Sequence, residues 1–241
     1  NSLKNLEELK INFEPLKQLL KFSSELKEKT IHYAGTLSTL LLSDLKDKTL
    51  REKFYLSQTK YLIGSYSASK WLAEKILFDH GNKFKIYRIG LLVKNSKFDI
   101  FPKEDFFSLF LKGLNSWNLI NYKKKFFSLD YTPVDIAAKT LVNISLSKSS
   151  KNIFHICNPN ELFLEELLFY FNNQNFKFPL NNLSKKYIMF LEYSIQQNSF
   201  KKHSKQLFLR TAKRINTSVN PEAWKNDLNF SEEILNKYLQ L

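Results

Sequence analysis

The sequence predicts an α/β protein: an open parallel sheet covered on both faces, followed by a mostly helical carboxyl-terminal part. Three observations lead there. Apolar, β-branched and aromatic runs occur at IHYAG, FKIYRIGLLV and NIFHIC, with the length and near-continuous hydrophobicity of buried strands. Helix-like segments separate these runs. From about residue 175 the pattern stays helical up to the closing PEAWKNDLNFSEEILNKYL, with no internal repeat.

Each element has a local reason. NSLKNLEELKINFEPLKQLLKFSSELK places Leu3, Leu6, Leu9, Phe13, Leu16 and Leu20 at helical spacing, and Pro15 predicts a bend or break. The strand in TIHYAGTLSTLLLSD is expected to end near Gly35. Residues 60–80 read as a helix stopped by Gly81, because glycine enters the left-handed region without a Cβ clash. FKIYRIGLLV (84–93) reads as a strand whose core ends at Gly90, and residues 104–115 read as a helix. In LDYTPVDIAAKTLVNIS (129–145), Thr132 can cap a helix, Pro133 suits its first position and Asp135 its first turn. NIFHIC (152–157) then reads as a strand and NELFLEELLFYF (160–171) as a helix.

Composition narrows the function classes. At 241 residues with 22 Phe, the chain can bury one ordinary core, or one plus an appendage. The net charge of +14 raises nucleic acid or an acidic partner. However, Lys outnumbers Arg 33 to 4, and basic clusters such as Lys123-Lys124-Lys125 are short and scattered, which disfavours selective nucleic-acid binding. The single cysteine, Cys157, excludes an internal disulfide or a cysteine zinc site and fits a reducing cytoplasm. His32, His80, His155 and His203 show no metal-ligand spacing, so no metal is expected. No apolar run approaches the roughly 18–20 residues needed to span a bilayer, and no signal peptide opens the chain. The chain begins at Asn1 and its only methionine is Met189, so a processed chain or a piece of a longer polypeptide is expected.

Ligands of an open parallel sheet bind at the carboxyl ends of its strands. Thr36 follows the first strand, and Tyr66 and Lys70 lie one turn apart on one face of the next helix. An ammonium beside a phenol favours the phenolate, and such a tyrosine can pass a proton to a carbonyl oxygen as hydride arrives. A hydroxyl at Thr36 can donate to the same oxygen. The spacing by itself also allows a rim aromatic, a solvated lysine and an ordinary strand-end threonine.

The wider context adds a resemblance. GSYSASKWLAEKIL resembles the Tyr-x-x-Ser-Lys-Trp-x-Ala-Glu segment of thioester reductase domains, members of the extended short-chain dehydrogenase/reductase superfamily. These close some non-ribosomal peptide and polyketide synthases and carboxylic acid reductases, and are akin to male sterility-like NAD-binding domains. Further stretches follow in the family's order. LKINFEPLKQLLKFS is similar to a helix carrying an Asn, here Asn12, and IHYAGTLST to the strand ending in a catalytic Ser or Thr. FKIYRIGLLV is similar to a Tyr-Arg-Pro-Gly strand end, LDYTPVDIAAKTLVNIS to a Pro-Val-Asp helix start and NIFHICNP to a His-x-x-Asn-Pro strand end. The likeness fades after about residue 175.

The resemblance implies a Rossmann-like doubly wound sheet over residues 1–160, as the carboxyl-terminal part of an NAD(P)-binding domain, and a helical substrate subdomain over residues 161–241. It implies catalytic roles for Thr36, Tyr66 and Lys70, and a cofactor contact by Tyr66, Lys70, Ile89 and Gly90. It implies NADPH in preference to NADH, and a phosphopantetheine-borne thioester reduced to an aldehyde or, with a second hydride, an alcohol. The implied partner is an acyl or peptidyl carrier protein within the same polypeptide. Ile89 departs from the family's Pro, and Gly35 from its frequent Ser. The Gly-rich phosphate-binding turn that opens the family is missing: only five glycines occur and none cluster. An amino-terminal truncation of on the order of 100 residues is therefore expected. The alternatives are a fatty acyl-CoA reductase or other enzyme of the superfamily, and a non-catalytic Rossmann-like binding protein or truncated remnant.

Overall fold

In the computed structural model, β1 (Ile31–Thr36) lies parallel to β2 (Phe84–Ile89), which lies parallel to β6 (Ile153–Ile156). The structure describes residues 9–25, 29–40, 50–56, 65–81, 83–97, 105, 107, 108, 111, 128–159, 162 and 163. The described residues from 9 to 90 and from 138 to 156 form one unit, and those from 91 to 137 and from 157 to 163 a second. β2 is the central strand of the first unit, and four of its six residues are buried. Burial on both faces is what its near-continuous apolar run requires.

The helices of this unit follow from their apolar spacing. The expected opening helix is divided: a 3₁₀ turn at Lys10–Asn12 precedes α1 (Glu14–Glu25), and residues before Leu9 lie outside the described residues. The break falls ahead of Pro15, which occupies the first turn, where its missing N–H has no intrahelical partner to lose. Another 3₁₀ turn, Leu37–Leu40, follows β1. α2 (Ser65–His80) then runs to Gly81, whose φ of 74° is the left-handed stop the sequence suggests. Phe13, Leu16 and Leu20 meet Ala73 and Leu77 of α2 and Ile31, Phe84, Ile86 and Ile153 of the sheet in one buried apolar cluster. A fully buried aliphatic side chain of this kind contributes about 1.5–3 kcal/mol relative to exposure. Tyr87 stacks on His32 and on Phe154, and Lys85 Nζ donates to the carbonyls of Ile144 and Ser147.

In the second unit, β3 (Leu92–Val93) pairs parallel with β5 (Thr132–Pro133), and β4 (Ser128–Leu129) antiparallel with β7 (Leu162–Phe163). Three local expectations are corrected here. FKIYRIGLLV is two strands rather than one, because the chain breaks at Gly90-Leu91 and Leu92 takes Thr132 as its partner. α3 begins at Val134 and runs to Leu146, one residue later than expected, since Thr132 and Pro133 are drawn into β5. The Thr132 hydroxyl does not cap: it donates to the Asp130 carbonyl and accepts the Asn158 N–H, each at 3.0 Å. Residues 162 and 163 are strand rather than helix, because their backbone groups pair with Ser128–Leu129. Most of the helix read at 104–115, the rest of that at 160–171, and the helical region after 175 lie outside the described residues. Among the described residues, no helix is long and apolar enough to cross a membrane.

Candidate active site

The first unit places Thr36 at the carboxyl end of β1 and Tyr66 and Lys70 one turn apart on α2. Ser38 donates its N–H (3.2 Å) and its hydroxyl (3.1 Å) to Thr36 Oγ1. A hydroxyl has two acceptor positions and one proton, so Thr36 is left as a donor. It hydrogen-bonds the Tyr66 phenol. Burial pushes the Tyr66 pKa up, the Thr36 bond pulls it down, and burial wins, so the phenol stays protonated at neutral pH. The Thr36 bond is what favours the phenolate there.

Lys70 is half-buried, and burial lowers its pKa. Its ammonium lies 5.9 Å from the centroid of the Tyr33 ring, a cation–π contact. Tyr33 is held far above the usual phenol range, by burial first and then by nearby Glu74 and Tyr66. The Tyr33 hydroxyl is buried with no hydrogen-bond partner among the described residues. Ile89 stands in register with Thr36 across β1 and β2, and the Gly90 N–H donates to the Ile156 carbonyl at 2.8 Å. The two departures, Ile89 and Gly35, therefore both lie on the strand ends beside Thr36. A Cβ on Gly35 would meet Tyr33 Cε1 at 3.3 Å and Glu74 Oε1 at 3.6 Å, so any larger residue there presses on the Tyr33 ring.

Beneath these residues is a polar network that sequence reasoning did not assign. Arg88 and Glu74 form an ion pair with side chains 1% and 0% exposed, Nη2 to Oε2 at 2.6 Å and Nε to Oε1 at 3.0 Å. Arg88 Nη1 also donates to the Lys53 carbonyl and lies 3.4 Å from His155 Nε2. Thr39 Oγ1 sits 3.1 Å from Glu74 Oε1 and 3.0 Å from the Thr36 carbonyl oxygen. Asn12 donates to Ser69 Oγ, which donates to the Tyr66 carbonyl. Trp71 Nε1 donates to the Tyr55 carbonyl and anchors residues 50–56 to α2. A signal for the ion pair was present: an arginine inside an apolar strand demands an acid, and Glu74 shares the α2 face of Tyr66 and Lys70 at successive spacings of four.

The residues fit the ribose end of a nicotinamide cofactor. Among the described residues, the Lys70 ammonium contacts only the face of a ring, so its N–H donors remain for hydroxyls beside Tyr66. Among the described residues, no group of three or more His, Cys, Asp or Glu could hold a metal ion.

The chain is similar to several known proteins. A linear gramicidin synthase polypeptide from Brevibacillus parabrevis is 27% identical over 173 residues, which is 70% of this chain and 3% of that protein. The terminal R domain of the myxalamid PKS-NRPS pathway has a similar fold, with a TM-score of 0.74 and 22% identity, over 100% of this chain and 65% of that one. A thiolation-reductase di-domain from an archaeal non-ribosomal peptide synthetase gives a TM-score of 0.64 and 19% identity, over 95% of this chain and 52% of that one. The chain thus spans about two-thirds or less of these relatives, and its sheet has the Rossmann-like, mixed α/β fold of terminal reductase domains. Residues 3–141 match the family described as Male sterility protein, and on that match the chain belongs to this family of NAD(P)-binding domains.

Proposed function

We propose that this chain carries the catalytic half of an NADPH-dependent thioester reductase, which releases an acyl or peptidyl chain from a phosphopantetheine carrier as an aldehyde. The Thr36 hydroxyl at the carboxyl end of β1, its acceptor positions filled by Ser38 and its effect falling on the Tyr66 phenol, carries this reading. When bound, the cofactor supplies the hydride. Tyr66 then gives its proton to the thioester carbonyl oxygen, while the Thr36 hydroxyl, whose proton faces the Tyr66 oxygen, stabilises the phenolate left behind. Collapse of the resulting hemithioacetal expels the thiol and leaves the aldehyde; a second round gives the alcohol. Lys70 would hold the ribose hydroxyls of the cofactor, and Ile89 and Gly90 would border its nicotinamide. Residues 1–160 serve as the carboxyl-terminal part of the cofactor domain and residues 161–241 as the substrate subdomain. The relatives' names support reductive release from an assembly line, and the +14 charge suits an acidic carrier in the cytoplasm.

The test is to supply the full-length protein with NADPH, NADH and a thioester presented either on a carrier protein or on coenzyme A. NADPH oxidation with aldehyde formation on the carrier-bound substrate is expected. Preference for the coenzyme A ester would move the assignment to an acyl-CoA reductase, and turnover of neither would end it.

A further inference from the structure

We propose that Glu74 and Thr39 form a positioning strut that sets the Thr36 hydroxyl against Tyr66, with Arg88 fixing the strut's base. This role rests on the reductive reading above. Glu74 lies two helical turns beyond Tyr66 on α2, so a link from Glu74 to the end of β1 spans the two elements whose separation decides whether Thr36 and Tyr66 meet. Thr39 makes that link: its one proton is shared between Glu74 Oε1 and the Thr36 carbonyl oxygen. Arg88 holds both oxygens of the wholly buried carboxylate, so Glu74 cannot turn away. Ser38, just before Thr39, fills the acceptor positions of Thr36 Oγ1. Together these contacts fix the Thr36 backbone and direct its hydroxyl proton outward.

The titratable groups around the strut are Tyr33 from β1, Tyr66 and Lys70 from α2, Arg88 from β2 and His155 from β6. None of them bonds to Thr39, so removing the Thr39 hydroxyl leaves the ion pair intact.

The decisive experiment compares wild type, Thr39→Val and Thr39→Ser in the full-length protein, measuring kcat, KM and the alkaline limb of the pH–rate profile. Valine keeps the shape and deletes the link. Loss of the link is expected to lower kcat by roughly 10- to 100-fold with KM little changed. Because the Thr36 bond holds the Tyr66 pKa down, weakening it should move the alkaline limb to higher pH, by up to about one unit. Thr39→Ser should recover both. Wild-type kcat with an unmoved limb in Thr39→Val overturns the strut. So does a lower melting temperature with an unmoved limb, which would make Thr39 a folding residue only. Wild-type protein that reduces no thioester overturns the underlying reading, and this role with it.

Discussion

Helix α2 lies across two regions of opposite character. Its carboxyl-terminal half places Ala73 and Leu77 in the apolar cluster with Phe84 and Ile86. Ser69 in its amino-terminal half, and Glu74 beside Ala73, make buried polar contacts beneath the strand ends. β2 repeats the division: Phe84 and Ile86 are apolar, and Arg88, next on the same face, is a buried cation. The apolar end draws on non-directional burial and tolerates changes of shape at the cost of stability. The polar end depends on distances and angles, and a single lost partner leaves a charge or hydroxyl unsatisfied. Stability and chemistry are thus held by different side chains of the same two elements.

That division can be broken at either end. Tyr66→Phe should have the largest effect, lowering turnover by roughly 10²–10⁴-fold while cofactor binding, followed by fluorescence titration, stays near wild type. Equal turnover would remove the assigned acid. Leu77→Ala should do the reverse: about 2–5 kcal/mol of stability is lost on denaturant unfolding, with kcat per folded molecule unchanged. A fall in kcat there would show that the two ends are coupled. Asp135→Asn probes the second unit. Burial raises the Asp135 pKa, but bonds from the Ser96 hydroxyl and N–H and from the helix-start amides outweigh it, so the net shift is downward. The stability it gives is present above the unfolded value of about 3.9 and lost as pH falls through the folded value. The variant should be less stable at neutral pH, and the gap should close below about pH 4 in thermal melts. The smallest effect is expected at the surface pair of Lys75 and Asp79, where Lys75→Ala should change stability by no more than about 0.5 kcal/mol.

Much of the scaffold was legible along the chain because it rests on local or periodic signals. The strands at 31–36, 84–89 and 153–156, the helix ending at Gly81 and the Asp135 helix start each followed from residues within one element. The reading failed where a segment's partner is distant. Leu92–Val93 and Thr132–Pro133 form strands only because they meet each other, and Leu162–Phe163 leaves its helix pattern to pair with Ser128–Leu129. The site divides the same way. Tyr66 and Lys70 could be paired from helical spacing, whereas the lysine's seat over Tyr33 could not.

By itself, the sequence determined the residue types and their local geometry: three buried strands, a helix presenting Tyr66, Lys70 and Glu74 on one face, and a hydroxyl at the first strand's end. Only the tertiary structure decided which groups share protons. Thr36 bonding Tyr66, Thr39 bridging to Glu74, and Arg88 closing on that carboxylate join residues as far as 35 positions apart. Hydrogen bonds depend on distance and direction at the scale of tenths of an ångström, and spacing along a chain carries that information only within a single helix or strand.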